Sequence, residues 1–193
     1  MTPEQALQEI LEGNKRYADG LVTSTNLPEH RALLVSGQAP IAAIIRCSDS
    51  RVAPEIVFDQ PLGKLFVCGV AGNVPTLEIV ESLEYAMQSL GTTLIVVMGH
   101  SQCGAVHAAL HNDVVDGLFT QIALPPTSDL DDCIAYNAEQ GINTILARSY
   151  MIEEAVKSGH VQIVAGVQDI ASGEFELVAE GLNLKKSHLD SMP

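Results

Sequence analysis

The chain has 193 residues, of which 47% are hydrophobic and 18% charged, a composition that excludes intrinsic disorder and favours one domain. Acidic residues outnumber basic ones by 24 to 10, so the formal net charge is −14 at pH 7. This charge disfavours nucleic acid and anionic membrane surfaces as partners. Aromatic residues make up only 4% and tryptophan is absent, which disfavours a stacking surface for bases.

The N-terminal segment lacks the basic region and apolar run of a signal peptide. No apolar stretch reaches the roughly 20 residues that a membrane helix needs. The sequence therefore predicts a cytoplasmic protein with no membrane partner. In that reducing compartment, cysteines are expected to be metal ligands or packed thiols rather than disulfides. The chain has four cysteines, at Cys47, Cys68, Cys103 and Cys133.

The predicted elements begin with a helix over residues 3–19, where apolar residues recur at helical spacing. Thr2 and Pro3 form a typical cap and first turn for this helix, and Gly20 can end it. A polar connection is expected over residues 21–30. Residues 1–30 are therefore predicted to form an N-terminal helical arm.

Short runs rich in Ile and Val follow, and they are almost continuously apolar, as strands covered on both faces of a parallel sheet are. These predicted strands span residues 41–46, 64–68, 93–98 and 161–167. Helical patterns lie between the runs, over residues 75–90, 104–111 and 128–158. The alternation predicts an α/β fold with a mostly parallel central sheet flanked by helices. A fifth strand is expected at 174–179, and residues 180–193 are expected to be a C-terminal tail of a single domain, 1–193.

Reactive side chains follow two of these predicted strands. Cys47 comes directly after the first strand, and His100 and Cys103 follow the third. Ligands bind at the carboxyl ends of parallel strands, so neighbouring strands would bring the three side chains to one edge. Two thiolates and one imidazole suit zinc, and three protein ligands leave a fourth position open, as in catalytic sites.

The alternative for each cysteine is a small packed core residue, which is the usual role of an isolated buried thiol. That interpretation is preferred for Cys68 and Cys133. For Cys47 and Cys103 the two interpretations are about equally balanced on spacing alone.

Asp49 and Arg51 follow Cys47 closely and have two possible roles. They could form an ordinary ion pair or loop cap. Alternatively, Arg51 could keep Asp49 ionised and oriented, either beside a metal-bound water or close to the metal itself. The functional role is favoured only in combination with the zinc ligands.

Two motifs resemble those of the β-class carbonic anhydrases. They are Cys47-Ser48-Asp49-Ser50-Arg51 and His100-Ser101-Gln102-Cys103-Gly104. The resemblance extends over about residues 5–180, through residues 11–17, 71–73, 82–86, 145–149 and the stretch from Gly166 to Gly173. It implies the fold of that family with an N-terminal helical arm.

The resemblance implies reversible hydration of carbon dioxide to bicarbonate and a proton, by attack of zinc-bound hydroxide. It implies one Zn²⁺ on Cys47, His100 and Cys103, with water as fourth ligand in an active form or Asp49 in a closed, inactive one. Asp49 and Arg51 match the family's catalytic dyad.

The resemblance also implies a substrate pocket and an assembly. The family's pocket positions correspond to Gln38, Phe66, Ala71 and Tyr85, with Tyr85 expected from the partner subunit. A homodimer, or a tetramer formed from two dimers, is implied. His107 and His111 are candidate proton shuttles by residue type, although surface histidines of a helix are the preferred interpretation.

Some positions depart from the family pattern. Gly69 stands where the family commonly has arginine, Gln168 where it often has tyrosine, and Ile44 where members with a non-catalytic bicarbonate site have tryptophan. Bicarbonate is therefore not expected to inactivate this protein through that pocket. Arg46 stands where a small residue is usual, and such a cation must extend to solvent, pair with an acid or enter the pocket.

Other functions remain open from the sequence. A relative of the family could hydrolyse carbonyl sulfide or carbon disulfide, or the chain could be a catalytically impaired zinc-binding homologue. A zinc-stabilised scaffold or a thiol-based sensor is the non-enzymatic alternative. A dinucleotide-binding fold is disfavoured because no Gly-x-Gly-x-x-Gly motif follows the first strand.

Overall fold

A five-stranded, mostly parallel sheet forms the centre of the structure, a computed structural model that describes residues 1–24, 28–111 and 116–181. The strands lie in the order β2-β1-β3-β4-β5, with β5 antiparallel to β4 and the other neighbours parallel. Their bounds are β1 Ala42–Arg46, β2 Leu65–Gly69, β3 Leu94–His100, β4 Gln162–Gln168 and β5 Phe175–Glu180. The predicted α/β fold and the predicted fifth strand are confirmed.

Helices cover both faces of this sheet. They are α1 Pro3–Ala18, α2 Pro28–Leu34, α3 Pro54–Val57, α4 Leu77–Leu90, α5 Gly104–Leu110, α6 Leu130–Arg148 and α7 Tyr150–Lys157. Short 3₁₀ turns lie at Ala71–Asn73 and Gly117–Gln121. Buried residues of α1, α3 and α5 pack on one face and those of α4 and α7 on the other, while α6 contributes to both.

The two faces have separate hydrophobic cores because successive strand residues point to opposite sides. In β1, Ile44 belongs to the first-face core with Ile10 of α1, whereas Ile45 belongs to the second-face core with Leu83 of α4. Every residue of β3 is buried, as expected for the central strand. Burial of one such aliphatic side chain stabilises the fold by roughly 1.5–3 kcal/mol.

Helix α1 is fastened to the first-face core by the buried side chain of Asn14. Its Nδ2 donates to the carbonyl oxygens of Val57 at 3.1 Å and Gly173 at 2.8 Å, and its Oδ1 accepts from the Phe175 N–H. Thr2 and Gln5 form a capping box at the start of the helix, as the sequence indicates. The Asn14 contacts join the N-terminal helix to the end of α3 and to the start of β5.

The structure corrects two predicted elements. The helix predicted over residues 128–158 is interrupted at Ser149, whose Oγ accepts from the Ile152 N–H and caps α7. Residues 28–34 form helix α2 where part of a polar connection was expected. Helix α2 buries none of its residues, so no apolar periodicity could reveal it. Of the predicted tail, residues 182–193 lie outside the described residues.

Candidate metal centre

Three buried side chains meet at the carboxyl edge of the sheet. Cys47 directly follows β1, His100 ends the neighbouring strand β3, and Cys103 is the N-cap residue of α5. Their exposed fractions are 4%, 1% and 1%, and their potential ligand atoms all lie within 4.8 Å of one another. The structure thus brings together the three residues predicted from the sequence, because β1 and β3 pair in parallel.

The donor set fits a tetrahedral metal ion. The two Sγ atoms of Cys47 and Cys103 are 3.9 Å apart, and thiolates on one tetrahedral zinc ion lie about 3.8 Å apart for bonds of about 2.3 Å. His100 Nδ1 lies 2.9 Å from the Ser101 carbonyl oxygen, to which it can only donate. The Nε2 atom then carries the lone pair, and it is buried without a hydrogen-bond partner among the described residues.

The two thiols differ in how readily they ionise. The Cys103 thiol donates toward Cys47, and the Gly72 N–H lies 3.3 Å from the Cys47 Sγ, so the pKa of Cys47 is lowered although burial opposes this. The neighbouring Cys47 sulfur and burial raise the pKa of Cys103. Two thiolates this close repel each other, and a bound cation would relieve that repulsion.

The other two cysteines lie apart from this cluster, as preferred from the sequence. Cys68 is half-buried in β2 and Cys133 is fully buried in α6. Burial raises the pKa of both thiols. Both are therefore packed thiols in this structure.

Long-range contacts that sequence reasoning missed support the cluster. Gly72 supplies the N–H that reaches Cys47, and its carbonyl oxygen accepts from Asn137 of α6 at 2.9 Å. Asn137 also accepts from the Ala123 N–H, so one buried amide joins two loops. No local motif signals these contacts, because Asn137 lies 65 positions from Gly72 in the chain.

Gln102, which directly precedes Cys103, has a left-handed backbone conformation. Gln102 has φ 56°, a conformation that side chains other than glycine adopt at a cost in energy. It lies with Ser101 in the turn between His100 and Cys103. Such strain concentrates at functional sites.

Asp49 and Arg51 form a dyad beside the cluster. Asp49 Oδ1 accepts from the Arg51 backbone N–H at 3.0 Å and from Nε at 2.9 Å, while Oδ2 accepts from Nη2 at 2.7 Å. Arg51 therefore holds the pKa of Asp49 well below its usual range, against the effect of burial. Asp49 Oδ2 lies 4.0 Å from His100 Nε2, so the ionised carboxylate stands at the rim of the cluster.

The predicted pocket residues lie in three places. Ala71 begins the 3₁₀ turn whose next residue, Gly72, contacts Cys47. Phe66 and Tyr85 contact each other, with ring centroids 6.2 Å apart, but Phe66 packs against the second-face core, whereas Cys47 belongs to the first-face core. Gln38 is exposed in the segment between α2 and β1.

The positions that depart from the family pattern can also be located. Ile44 is fully buried in the first-face core, and Gln168 ends β4 with its buried Oε1 unpartnered among the described residues. Arg46 lies against its strand partner Gly69 and forms no ion pair within the described ranges. The candidate shuttles are both exposed: His107 lies on α5, His111 is its C-cap residue, and their rings stack with centroids 4.2 Å apart.

Comparison with known proteins decides the family. The family model described as carbonic anhydrase matches residues 42–175, which contain all three cluster residues and the dyad. The chain belongs to the β-carbonic anhydrase family. Carbonic anhydrase 2 of Mycobacterium tuberculosis is 36% identical over 191 aligned positions, covering 91% of this chain and 92% of the relative. The carbonic anhydrase of Mycolicibacterium smegmatis is also 36% identical, covering 97% and 95%.

Solved β-carbonic anhydrases share this fold. The structure of CcaA is 25% identical with a TM-score of 0.68, covering 89% of this chain and 94% of its own. A tetrameric β-carbonic anhydrase from Sordaria macrospora is 24% identical with a TM-score of 0.68, covering 78% and 86%. The predicted β-carbonic anhydrase fold and the assignment as an enzyme of this family are thereby confirmed. Within the described residues, no helix has the length and apolar character to cross a membrane.

Proposed function

We propose that this carbonic anhydrase hydrates carbon dioxide reversibly to bicarbonate and a proton, with one zinc ion held by Cys47, His100 and Cys103. One observation carries the proposal: a buried Cys, His, Cys cluster with a free imidazole Nε2 stands beside an ionised carboxylate that an arginine holds. Zinc bound there would act as a Lewis acid that makes coordinated water a nucleophile near neutral pH.

The chain's own residues supply orientation and charge. Arg51 donates to both oxygens of Asp49, so the carboxylate cannot rotate freely and Oδ2 is held 4.0 Å from His100 Nε2. Asp49 would accept a hydrogen bond from the attacking water and fix the direction of its lone pair toward the substrate carbon. Asp49 would stay ionised throughout, since Arg51 opposes its protonation, and the proton released by hydration would pass to solvent.

The substrate pocket is proposed to be completed by a second copy of the chain. Tyr85 is 50% exposed on α4 and contacts Phe66, and both lie on the sheet face away from their own Cys47. A partner that docks on this face would receive the Phe66 and Tyr85 rings, and apolar rings suit a nonpolar substrate. Gln38 would contact bicarbonate. A homodimer, alone or paired into a tetramer, and a cytoplasmic location complete the proposal.

The test is stopped-flow hydration of carbon dioxide by the zinc-loaded protein, scanned from neutral to alkaline pH. Turnover already present at neutral pH is expected, because Arg51 engages both oxygens of Asp49. Turnover confined to alkaline pH would mean that Asp49 occupies the metal at neutral pH. Absence of turnover at every pH with zinc bound would overturn the hydratase proposal, and carbonyl sulfide and carbon disulfide would be assayed next.

A matched pair of cysteine variants locates the metal in the same preparation. Cys103→Ser and Cys133→Ser each replace a buried thiol in a helical region, but only Cys103 lies in the cluster. Cys103→Ser is expected to lose bound zinc and turnover together, and Cys133→Ser is expected to retain both. Equal zinc loss in both variants would contradict the proposed ligand set.

A further inference from the structure

Arg46 is a half-buried cation at the end of β1, directly before Cys47. Its Nη1 donates to the carbonyl oxygen of Cys47 at 2.6 Å and, more weakly, to that of Asp49 at 3.5 Å. The donors of a guanidinium are fixed in one plane, so the two carbonyls that share Nη1 are held in a fixed relation. They lie at the two ends of the turn that joins a metal ligand to the dyad.

Arg46 has room in this position because the residue beside it, Gly69, has no side chain. Arg46 and Gly69 are register partners on the parallel strands β1 and β2. A Cβ atom built on Gly69 would lie 3.5 Å from Cγ and Nε of Arg46 and 3.6 Å from its Cζ. A side chain longer than alanine at position 69 would compete with the guanidinium for the same space. Positions 46 and 69 therefore have room for one long side chain between them, but not for two.

The placement of Arg46 is not explained by a contribution to the stability of the fold. Its Nε is buried without a hydrogen-bond partner, and no ion pair neutralises its charge among the residues that the structure describes. A buried donor without an acceptor destabilises a fold, and such groups in native proteins call for a reason beyond packing. The contacts of Nη1 with the metal-binding turn supply that reason.

We infer that Arg46 is a positioning residue for the metal-binding turn. Arg46 lies against Gly69 and holds the carbonyl groups of Cys47 and Asp49 in place. It thereby sets the directions of the Cys47 thiolate and the Asp49 carboxylate. A turn that is already ordered loses less freedom when the ion binds, which raises metal affinity. The inference rests on the proposed zinc ligands but not on the proposed reaction, because metal affinity is measured without substrate.

The first experiment compares Arg46→Met, Arg46→Lys and the charge-matched control Arg31→Met, since Arg31 is exposed on α2. Zinc affinity is measured by competition with a chromophoric chelator. Arg46→Met is expected to bind zinc about tenfold more weakly, equivalent to about 1.4 kcal/mol. Arg46→Lys should lie between Arg46→Met and wild type, because an ammonium keeps the charge but lacks the planar fork. Arg31→Met should match wild type.

A spectroscopic readout separates positioning from a general loss of stability. In cobalt-substituted protein, the thiolate-to-cobalt absorption reports the orientation of the two cysteine sulfurs, Cys47 among them. This band is expected to shift in Arg46→Met while the thermal midpoint stays within the range of the Arg31→Met control. Wild-type zinc affinity and an unshifted band in Arg46→Met would overturn the inference.

An exchange variant tests the shared space directly and remains informative if Arg46→Met fails to fold. The double variant Arg46→Gly/Gly69→Arg is expected to recover part of the zinc affinity that Arg46→Gly alone loses. If the double variant binds zinc no more tightly than Arg46→Gly, the proposal that the two positions share one space is contradicted.

Wild-type turnover in the same preparations separates the two proposals. Weaker zinc binding in Arg46→Met with no wild-type hydration of carbon dioxide would overturn the proposed function alone. Normal wild-type hydration with unchanged zinc binding in Arg46→Met would overturn the Arg46 inference alone.

Discussion

The pairing of Asp49 with Arg51 depends on the planar fork of the guanidinium, which reaches both carboxylate oxygens. Arg51→Lys preserves the charge but replaces the fork by one point donor. It is expected to lower kcat/KM for carbon dioxide by about 10- to 100-fold, the range found when groups that orient a metal site are changed, with zinc content unchanged. Arg31→Lys is the control, and an Arg51→Lys enzyme with wild-type kcat/KM would contradict the orienting role.

Sequence reasoning located the residues whose contacts are local in the chain. Asp49 and Arg51 are two positions apart, and His100 and Cys103 are three apart, so their spacing carries the information. The contact of Gly72 with Cys47 and that of Asn137 with Gly72 depend on how separate segments pack. The sequence likewise leaves several outcomes open for the Arg46 side chain, because its position depends on the strand register with Gly69.

At the scale of elements, Asp59 joins helix α1 to the segment that follows it. Its buried carboxylate accepts from Arg16 Nε at 2.6 Å, from the Thr23 N–H and hydroxyl at 3.0 Å, and from the Ser24 N–H at 2.7 Å. Asp59→Asn is expected to lower the free energy of unfolding by roughly 2 kcal/mol, because buried donors lose their charged acceptor. Urea denaturation measures this.

The control for Asp59 is Asp19→Asn, which removes the exposed ion pair with Lys15 and should change stability by less than about 1 kcal/mol. Equal losses in the two variants would contradict the importance of burial.

The same carboxylate predicts a pH dependence. Burial raises the pKa of Asp59, but hydrogen bonds from Arg16, Ser24 and Thr23 outweigh this and hold the pKa well below its ordinary value. The folded pKa lies below the unfolded value of about 3.9, so the carboxylate stabilises the fold above that value and loses its effect as pH falls through the folded pKa. The stability difference between wild type and Asp59→Asn should therefore shrink below about pH 4. A difference that stays constant down to acid unfolding would contradict this assignment.

The antiparallel edge of the sheet requires glycine at position 166. A Cβ atom there would overlap the Phe175 ring and lie 2.6 Å from the Glu176 carbonyl oxygen, beside a register shift between β4 and β5. Gly166→Ala is expected to destabilise the fold by about 1–3 kcal/mol, as overpacking does. Gly104→Ala, whose Cβ would meet nothing within 4 Å, is the matched control in thermal unfolding. An unchanged midpoint in Gly166→Ala would show that β5 can shift freely.

The elements predicted well are those with strong apolar periodicity or continuity. The strands were located to within two residues because burial on both faces makes them continuously apolar. Helix α2 was not predicted because none of its residues is buried. The end of α6 was not predicted because Ser149, which caps α7, carries no distinct local signal inside an apolar pattern. Boundaries that depend on side-chain capping were therefore the least predictable feature.

At the scale of the whole molecule, the proposed dimer depends on the face that carries Phe66 and Tyr85. Tyr85→Asp would place a charge on this apolar face, and it is expected to reduce the dimer fraction in analytical ultracentrifugation and to lower turnover together. Tyr150→Asp is the control, because Tyr150 is 75% exposed on α7 and contributes to no proposed site. A wild-type chain that is monomeric and fully active would contradict the proposal.

That residues 1–193 form a single domain stays a prediction at this scale. The absence of inactivation by bicarbonate also stays a prediction, based on Ile44, Gly69 and Gln168. Activity that is unchanged at high bicarbonate, after correction for product inhibition, would support it. A crystal grown with bicarbonate that has Asp49 bound to the metal would contradict it.

The central claim is that Cys47, His100 and Cys103 form one catalytic metal centre. X-ray absorption at the zinc edge of the zinc-loaded protein tests it most directly. Zinc on these three residues would have two sulfur ligands at about 2.3 Å, one imidazole nitrogen at about 2.0 Å and one further light ligand. A shell of four sulfurs, or of nitrogen and oxygen alone, would place the ion elsewhere and contradict the account.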